Sequence, residues 1–231
     1  VYLSLLFPNF HPLCSYMNKY FKPIAIAMGS TLILGWILLL RQPSSQVTNP
    51  SFPTVRMPPL IMKGGDPYVR ALMRMISASE ANDRRPYSIL YGGSHAEHLN
   101  RHPQKCIRIV SGPNLNNCST AAGRYQMIDT TWVKMAKKYH HQPDCLLFIF
   151  QCGYSFEPQY QDKVVYAWLS DERAWRMNIP QLLKDGELEK VRQRLSSTWT
   201  SLGYGIETNT VTPKLAGIYQ ELIREELVRK N

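Results

Sequence analysis

Residues 23–40, PIAIAMGSTLILGWILLL, are eighteen consecutive residues without a charge, and they constrain the chain more than any other feature. As a helix they would rise about 27 Å, just enough to cross the hydrocarbon core of a bilayer and more than the core of an ordinary signal peptide. Lys19 and Lys22 precede the run and Arg41 follows it. No small-x-small cleavage site comes after, since the next residues are RQPSSQ. The expectation is an uncleaved transmembrane signal anchor, with a cleaved signal peptide as the alternative and a buried helix as the bland reading. The upstream lysines place the N-terminus in the cytoplasm, so the chain beyond the anchor is exported, facing the periplasm or the cell wall. Residues 1–22 form an N-terminal tail in which Met17-Asn18-Lys19 reads as the natural start.

Residues 41–65 are rich in proline and serine and show neither helical nor strand period, as expected of a semi-extended linker. The domain is then expected over 66–231. This part holds 22 Lys and Arg against 17 Asp and Glu, a net charge of +5, while the first 65 residues carry five basic residues and no acidic one. A mildly basic exported domain suits an anionic polymer such as a cell wall. No nucleic-acid module is recognisable, and export argues against that partner. Cys14 precedes the anchor, and Cys106, Cys118, Cys145 and Cys152 fall in the domain. An even set in an oxidising compartment suggests two disulfides out of three possible pairings. Closeness favours Cys106–Cys118 and Cys145–Cys152; four buried thiols are the alternative.

Asp66-Pro67 is an N-cap followed by proline at the first helical position. Val69, Leu72, Met73 and Ile76 then recur at helical spacing, predicting a helix over 67–81. The runs YSILYGGSHAEHL and KCIRIV predict a small antiparallel hairpin around Gly92-Gly93. Further helices are expected from Asp129, from Pro158, and over 179–184, 187–201 and 213–229. The fold class is α+β, mostly α, with one small sheet.

Glu80 follows Ile76 by four residues and Met73 by seven, so it lies on the apolar face of the first helix. Partial burial and the negative end of the helix both disfavour its ionised form. A carboxylic acid still protonated near neutral pH suits a general acid that protonates a departing sugar oxygen. The bland alternative is a Glu that ends a helix and points to solvent. A second unusual run, STAAGRYQMIDTTW from Ser119 to Trp132, carries small residues and Gly123, which allow close backbone approach to a ligand. Tyr125 can stack on a sugar face and Gln126 can both donate and accept hydrogen bonds. Packing alone would also account for this loop.

Seven pieces in order resemble the lambda-type phage endolysin family, peptidoglycan lytic transglycosylases of lysozyme-like fold. They are Ser79-Glu80, Tyr91-Gly92-Gly93, His102-Pro103, the run Thr120 to Gln126, Phe156-x-Pro158-x-x-Gln161-Asp162, Trp199-x-Ser201-Leu202, and Gly203-Tyr204-Gly205. The resemblance spans about 66–228. It implies that Glu80 is the catalytic acid/base and that Tyr125 and Gln126 line the glycan groove, with Gly123 and Arg124 shaping its loop. Tyr204 joins them as a substrate-binding residue. Gln161 and Asp162 match motif positions too, Asp162 being expected as a structural residue near a helix start, where it helps cap. It also implies a monomer whose partner is the glycan strand of peptidoglycan.

The segment after the double glycine departs from the family. It reads SHAEHLNRHP and keeps only Glu97 as an acid. His95, His98 and His102 could ligate zinc in principle, but their spacing matches no zinc pattern, and neither metal nor cofactor is expected. A hydrolytic glycosidase needs a second carboxylate. The sequence neighbours of Glu80 are Asp83 and Glu97, and neither is placed convincingly. A lytic transglycosylase manages with one, which makes it the expected activity. A lysozyme that uses water is the alternative, and a non-catalytic wall-binding module the distant one. N-terminal sequencing of the native protein is expected to start at Met17; Tyr2 or Leu3 at that position would overturn the assigned start.

Overall fold

The computed structural model describes residues 57–141, 144–145, 152–207 and 209–230. Its centre is helix α1, Pro67–Glu80, capped by Asp66, whose Oδ1 accepts the amides of Tyr68 at 2.9 Å and Val69 at 3.4 Å. Every residue from Ala71 to Ala78 is buried, so the helix is covered on all sides rather than along one stripe. Around it run α2 (Asp129–Tyr139), α3 (Pro158–Ser170), the short α4 (Glu172–Trp175), α5 (Ile179–Lys184), α6 (Leu188–Leu195) and α7 (Leu215–Lys230). Helix α7 presents Leu215, Tyr219, Leu222, Ile223 and Glu226, one buried stripe at helical spacing.

The total enclosure of α1 has an electrostatic consequence. Arg74, 2 % exposed, is an interior cation, and its charge is met by Glu226 of α7 at 3.0 Å and by Glu225 at 2.7 Å. Arg70, one turn earlier, shares Glu226 at 2.6 Å. A buried cation of this kind requires a paired charge.

Residues 57–62 depart from the tether expected over 41–65. Met57, Leu60 and Met62 are buried in the core cluster. The backbone of this strap is held from inside the domain. Arg74 donates to Met57 O at 2.8 Å, Arg124 to Pro59 O at 3.1 Å, and Arg70 to Met62 O at 3.0 Å. The Asp162 carboxylate accepts the amides of Ile61 at 2.8 Å and Met62 at 3.1 Å. The folded part therefore begins ahead of Asp66. Composition reads these residues as linker because the groups that capture them lie elsewhere in the chain. The charge-free run 23–40 and the rest of the linker fall outside the described residues. Among the described residues no helix is long and apolar enough to cross a membrane.

The expected hairpin is also redrawn. Strand β1, Ile107–Arg108, pairs antiparallel with β2, Cys118–Ser119, and not with the Gly-Gly segment. Tyr91–Gly93 forms a 3-10 turn in which Gly92 and Gly93 have φ of 80° and 92°. Positive φ curls the chain out of strand geometry, leaving single bridges from Ile89 to His95 and from Leu90 to Ala122. Cys106 and Cys118 are joined in a disulfide as expected. Strand β3, Asp144–Cys145, pairs with β4, Cys152–Gly153, in a register that sets Cys145 opposite Cys152. The helix expected over 187–201 stops at Leu195. The chain then enters another 3-10 turn, Thr200–Leu202.

Asp162 is structural, although it caps nothing. Fully buried in α3, it accepts the Tyr87 hydroxyl at 2.8 Å and the Tyr125 hydroxyl at 2.6 Å besides the two strap amides. Replacing it leaves the buried Met62 amide and the buried Tyr125 hydroxyl without their acceptor. Asp162→Ala is therefore expected to cost about 3–5 kcal/mol, read as a lowered midpoint in urea unfolding.

Candidate active site

Glu80 is the last residue of α1, and Ala81 leaves helical geometry with its amide still bonded to Ser77 O at 2.8 Å. The buried helix thus carries the carboxyl to the edge of a cleft of about 400 Å³. One wall is the Tyr91–Gly93 turn. Another is the loop closed by the Cys106–Cys118 disulfide, which supplies Ile109 and Asn114, with Ser119 just beyond it. Ile89, Leu90, Ala121, Gln126 and Ile128 line it as well, and Thr198, Trp199, Thr200 and Glu207 complete the lining.

The carboxyl is oriented by the 3-10 turn opposite. Ser201 Oγ donates to Glu80 Oε1, and the Ser79 hydroxyl, 2.7 Å from Ser201 Oγ, is placed to donate to it in turn. The turn itself is fixed from behind. Arg192 donates twice to Leu202 O, at 3.1 and 2.8 Å, and Thr212 Oγ1 donates to Ser201 O at 2.8 Å. Gly203 follows with φ 105°, and a Cβ there would meet Arg192 Nη2 at 2.6 Å. Trp199 Nε1 bonds Tyr125 O at 2.9 Å, tying the turn to the Gly123–Gln126 segment. Burial pushes the Glu80 carboxyl up to about 7; the Ser201 hydrogen bond opposes that shift and the Glu207 charge adds to it.

The residues expected to bind substrate separate into those at the cleft and those behind it. Gln126 lines the cleft, its amide nitrogen donating to Gly123 O at 3.0 Å and Ile89 O at 3.3 Å. Tyr125 does not reach it. It is 1 % exposed with its hydroxyl spent on Asp162, so it cannot stack on a sugar. Arg124 is fully buried and holds the strap. Gly123 admits Gln161 rather than a ligand, since a Cβ there would lie 2.3 Å from Gln161 Oε1. Gln161 accepts the Arg124 amide at 2.9 Å and donates to Tyr87 O and Phe156 O, a packing role throughout. Tyr204 stands away from the cleft lining, half exposed, donating to Glu189 at 2.8 Å. The GRYQ-type loop therefore builds the back of the site more than its face.

Neither carboxylate near Glu80 in sequence enters the cleft. Asp83 accepts the Arg85 amide at 2.6 Å and sits 3.7 Å from His95 Nε2, while Glu97 is exposed elsewhere. The histidines do not converge on a common point. His95 bonds Ser88 Oγ at 2.9 Å, and His102 is buried against Met127 O at 2.8 Å with burial lowering its pKa. The second acid of the cleft is Glu207, which no sequence motif singles out. Its only sequence signal is a place two residues past Gly203-Tyr204-Gly205.

A family model described as Endolysin matches residues 70–223. The chain belongs to the endolysin family. Such membership makes it a peptidoglycan-degrading glycosidase, and its fold is lysozyme-like. Among solved structures, this endolysin is similar to bacteriophage lambda lysozyme complexed with a chitohexasaccharide. The identity is 23 % over 70 % of this chain and 97 % of that one, with a TM-score of 0.51. A second structure of bacteriophage lambda lysozyme aligns at 20 % identity over 71 % and 97 % of the two chains, with a TM-score of 0.49. No curated protein sequence matches this chain.

The raised Glu80 carboxyl makes stability depend on pH. An acid whose folded pKa lies near 7 instead of 4.5 is held neutral by the fold. Its contribution to stability is complete below about pH 4.5 and is lost as pH rises through 7. Glu80→Gln is thus expected to match the native stability at pH 4 and exceed it at pH 8 by about 1–3 kcal/mol, read in thermal unfolding at both pH values.

Proposed function

We propose that this endolysin cleaves the β-1,4 bond between N-acetylmuramic acid and N-acetylglucosamine by lytic transglycosylation, with Glu80 as both acid and base. The observation that carries this reading is the Glu80 carboxyl itself, held by burial at about 7 on the edge of a cleft and aimed by Ser201. A group with that affinity can give up a proton at neutral pH and take one back in the next step. It first protonates the glycosidic oxygen, and the C1–O bond breaks with its electron pair on that oxygen. The muramoyl 6-hydroxyl then bonds to C1 while its proton returns to Glu80, leaving a 1,6-anhydro end. No water is consumed.

That Asp83 and Glu97 stay outside the cleft supports a single acid/base, and the chitohexasaccharide carried by the lambda lysozyme structure supports a glycan as ligand. The charge-free run at 23–40 supports a tethered enzyme acting on wall close to its membrane, and the family likeness supports a monomer. A second reading is hydrolysis of the same bond by water. One observation favours it: Glu207 lines the cleft with Glu80 and could orient a water.

Mass spectrometry of muropeptides separates the two. Anhydro products are expected; products heavier by one water would overturn transglycosylation. Glu80→Gln is expected to lower wall turnover by about 10²–10⁴-fold, and retained lysis would remove Glu80 from the chemistry. In the native enzyme turnover should fall as pH rises past about 7, where the acid loses its proton.

A further inference from the structure

Glu207 is an exposed acid that lines this cleft. None of the ion pairs among the described residues includes it. The described residues lining the cleft include no Lys, Arg or His; its titratable groups are Glu80 from α1, Tyr91 from the glycine turn, and Glu207 itself. Two carboxylates in one cleft without a cation repel each other when both are ionised. A site that only had to hold a neutral sugar would gain nothing from that repulsion.

The placement of Glu207 is also built. Thr200 Oγ1 donates to Glu207 Oε2 at 2.9 Å, and the next residue, Ser201, donates to Glu80. Consecutive hydroxyl side chains of one 3-10 turn therefore set both carboxylates. The loop carrying Glu207 folds back on that turn so tightly that a Cβ at Gly205 would stand 2.3 Å from Thr200 O.

We propose that Glu207 is a second functional carboxylate of this cleft, whose negative charge stabilises the positive charge that develops on the sugar ring as the C1–O bond breaks. The proposal rests on the glycosidase chemistry assigned to Glu80, but not on whether water or the 6-hydroxyl completes the reaction. While the glycosidic electron pair leaves with the departing oxygen and the Glu80 proton, C1 and the ring oxygen share a cationic deficit. An anion lining the cleft lowers the energy of that state more than of the neutral substrate, which is the condition for raising turnover. The charge also opposes ionisation of Glu80, so the anion that serves the transition state helps keep the acid loaded beforehand.

The test compares native enzyme, Glu207→Gln, Glu207→Asp and Thr200→Val on purified peptidoglycan, with kcat, KM, pH profile and thermal midpoint measured for each. Glu207→Gln is expected to lower kcat by about 10- to 100-fold with KM within about twofold. Its alkaline limb should move to lower pH and its melting temperature should stay native. Glu207→Asp, which keeps the charge, should recover part of the rate. Thr200→Val, which removes only the tether, should lose less than Glu207→Gln. A Gln variant with native kcat overturns the proposal. So does a loss shared equally by Asp, Gln and Val variants, which would make Glu207 only a tie for its loop. Product masses from the native enzyme report separately on transglycosylation, and an active Glu80→Gln would sink the underlying acid assignment instead.

Discussion

Everything in this domain depends on the enclosure of one helix. Helix α1 has no solvent face between Ala71 and Ala78, so every neighbour must present an apolar surface or neutralise what α1 brings inside. Helix α7 does both, packing Leu222 and Ile223 while Glu226 meets Arg70 and Arg74. The same enclosure ends abruptly at Glu80, where the helix leaves its sheath. A carboxyl at that boundary is dry enough to keep its proton and open enough to meet a ligand. The position of the acid is thus a by-product of how the core is closed.

The second half of the site comes from the far end of the chain. Arg192 and Thr212 pin the Thr200–Leu202 turn, and that turn holds Glu80 through Ser201 and Glu207 through Thr200. Both carboxylates are therefore referenced to a single piece of backbone. Side chains held in one geometry need this kind of support behind them. The Gly123–Gln126 segment belongs to that support as well, since Trp199 reaches across to Tyr125 O.

Much of this was legible in advance where the signal was local. Asp66-Pro67 announced the start of α1, the apolar spacing announced its face, and Glu80 fell on that face by counting. The span 179–184 and the helices opening at Asp129 and Pro158 were equally local, set by period and by proline. What failed was non-local. Tyr125 has the chemistry of a sugar platform, but Asp162 claims its hydroxyl from another helix. Residues 57–62 have the composition of a linker, but buried Arg74 and Arg124 claim their carbonyls. The glycines at 92 and 93 suggest a hairpin; their positive φ makes a tight turn that keeps one antiparallel bridge, Ile89 to His95, and also pairs with Ala121 and Ala122.

By itself the sequence determined the helical periods, the short-loop disulfide at Cys106–Cys118, the family, and the place of Glu80 at the end of the first helix, because each is written in neighbouring residues or in an ordered set of motifs. Only the tertiary structure decided which residues face the cleft. It turned the motif around Tyr125 inward, set Tyr204 aside, and brought Glu207 from a distant loop to the acid at the end of α1. The reason is physical. Period and propensity act over a few residues, whereas a cleft is made by segments that meet only after the core has closed.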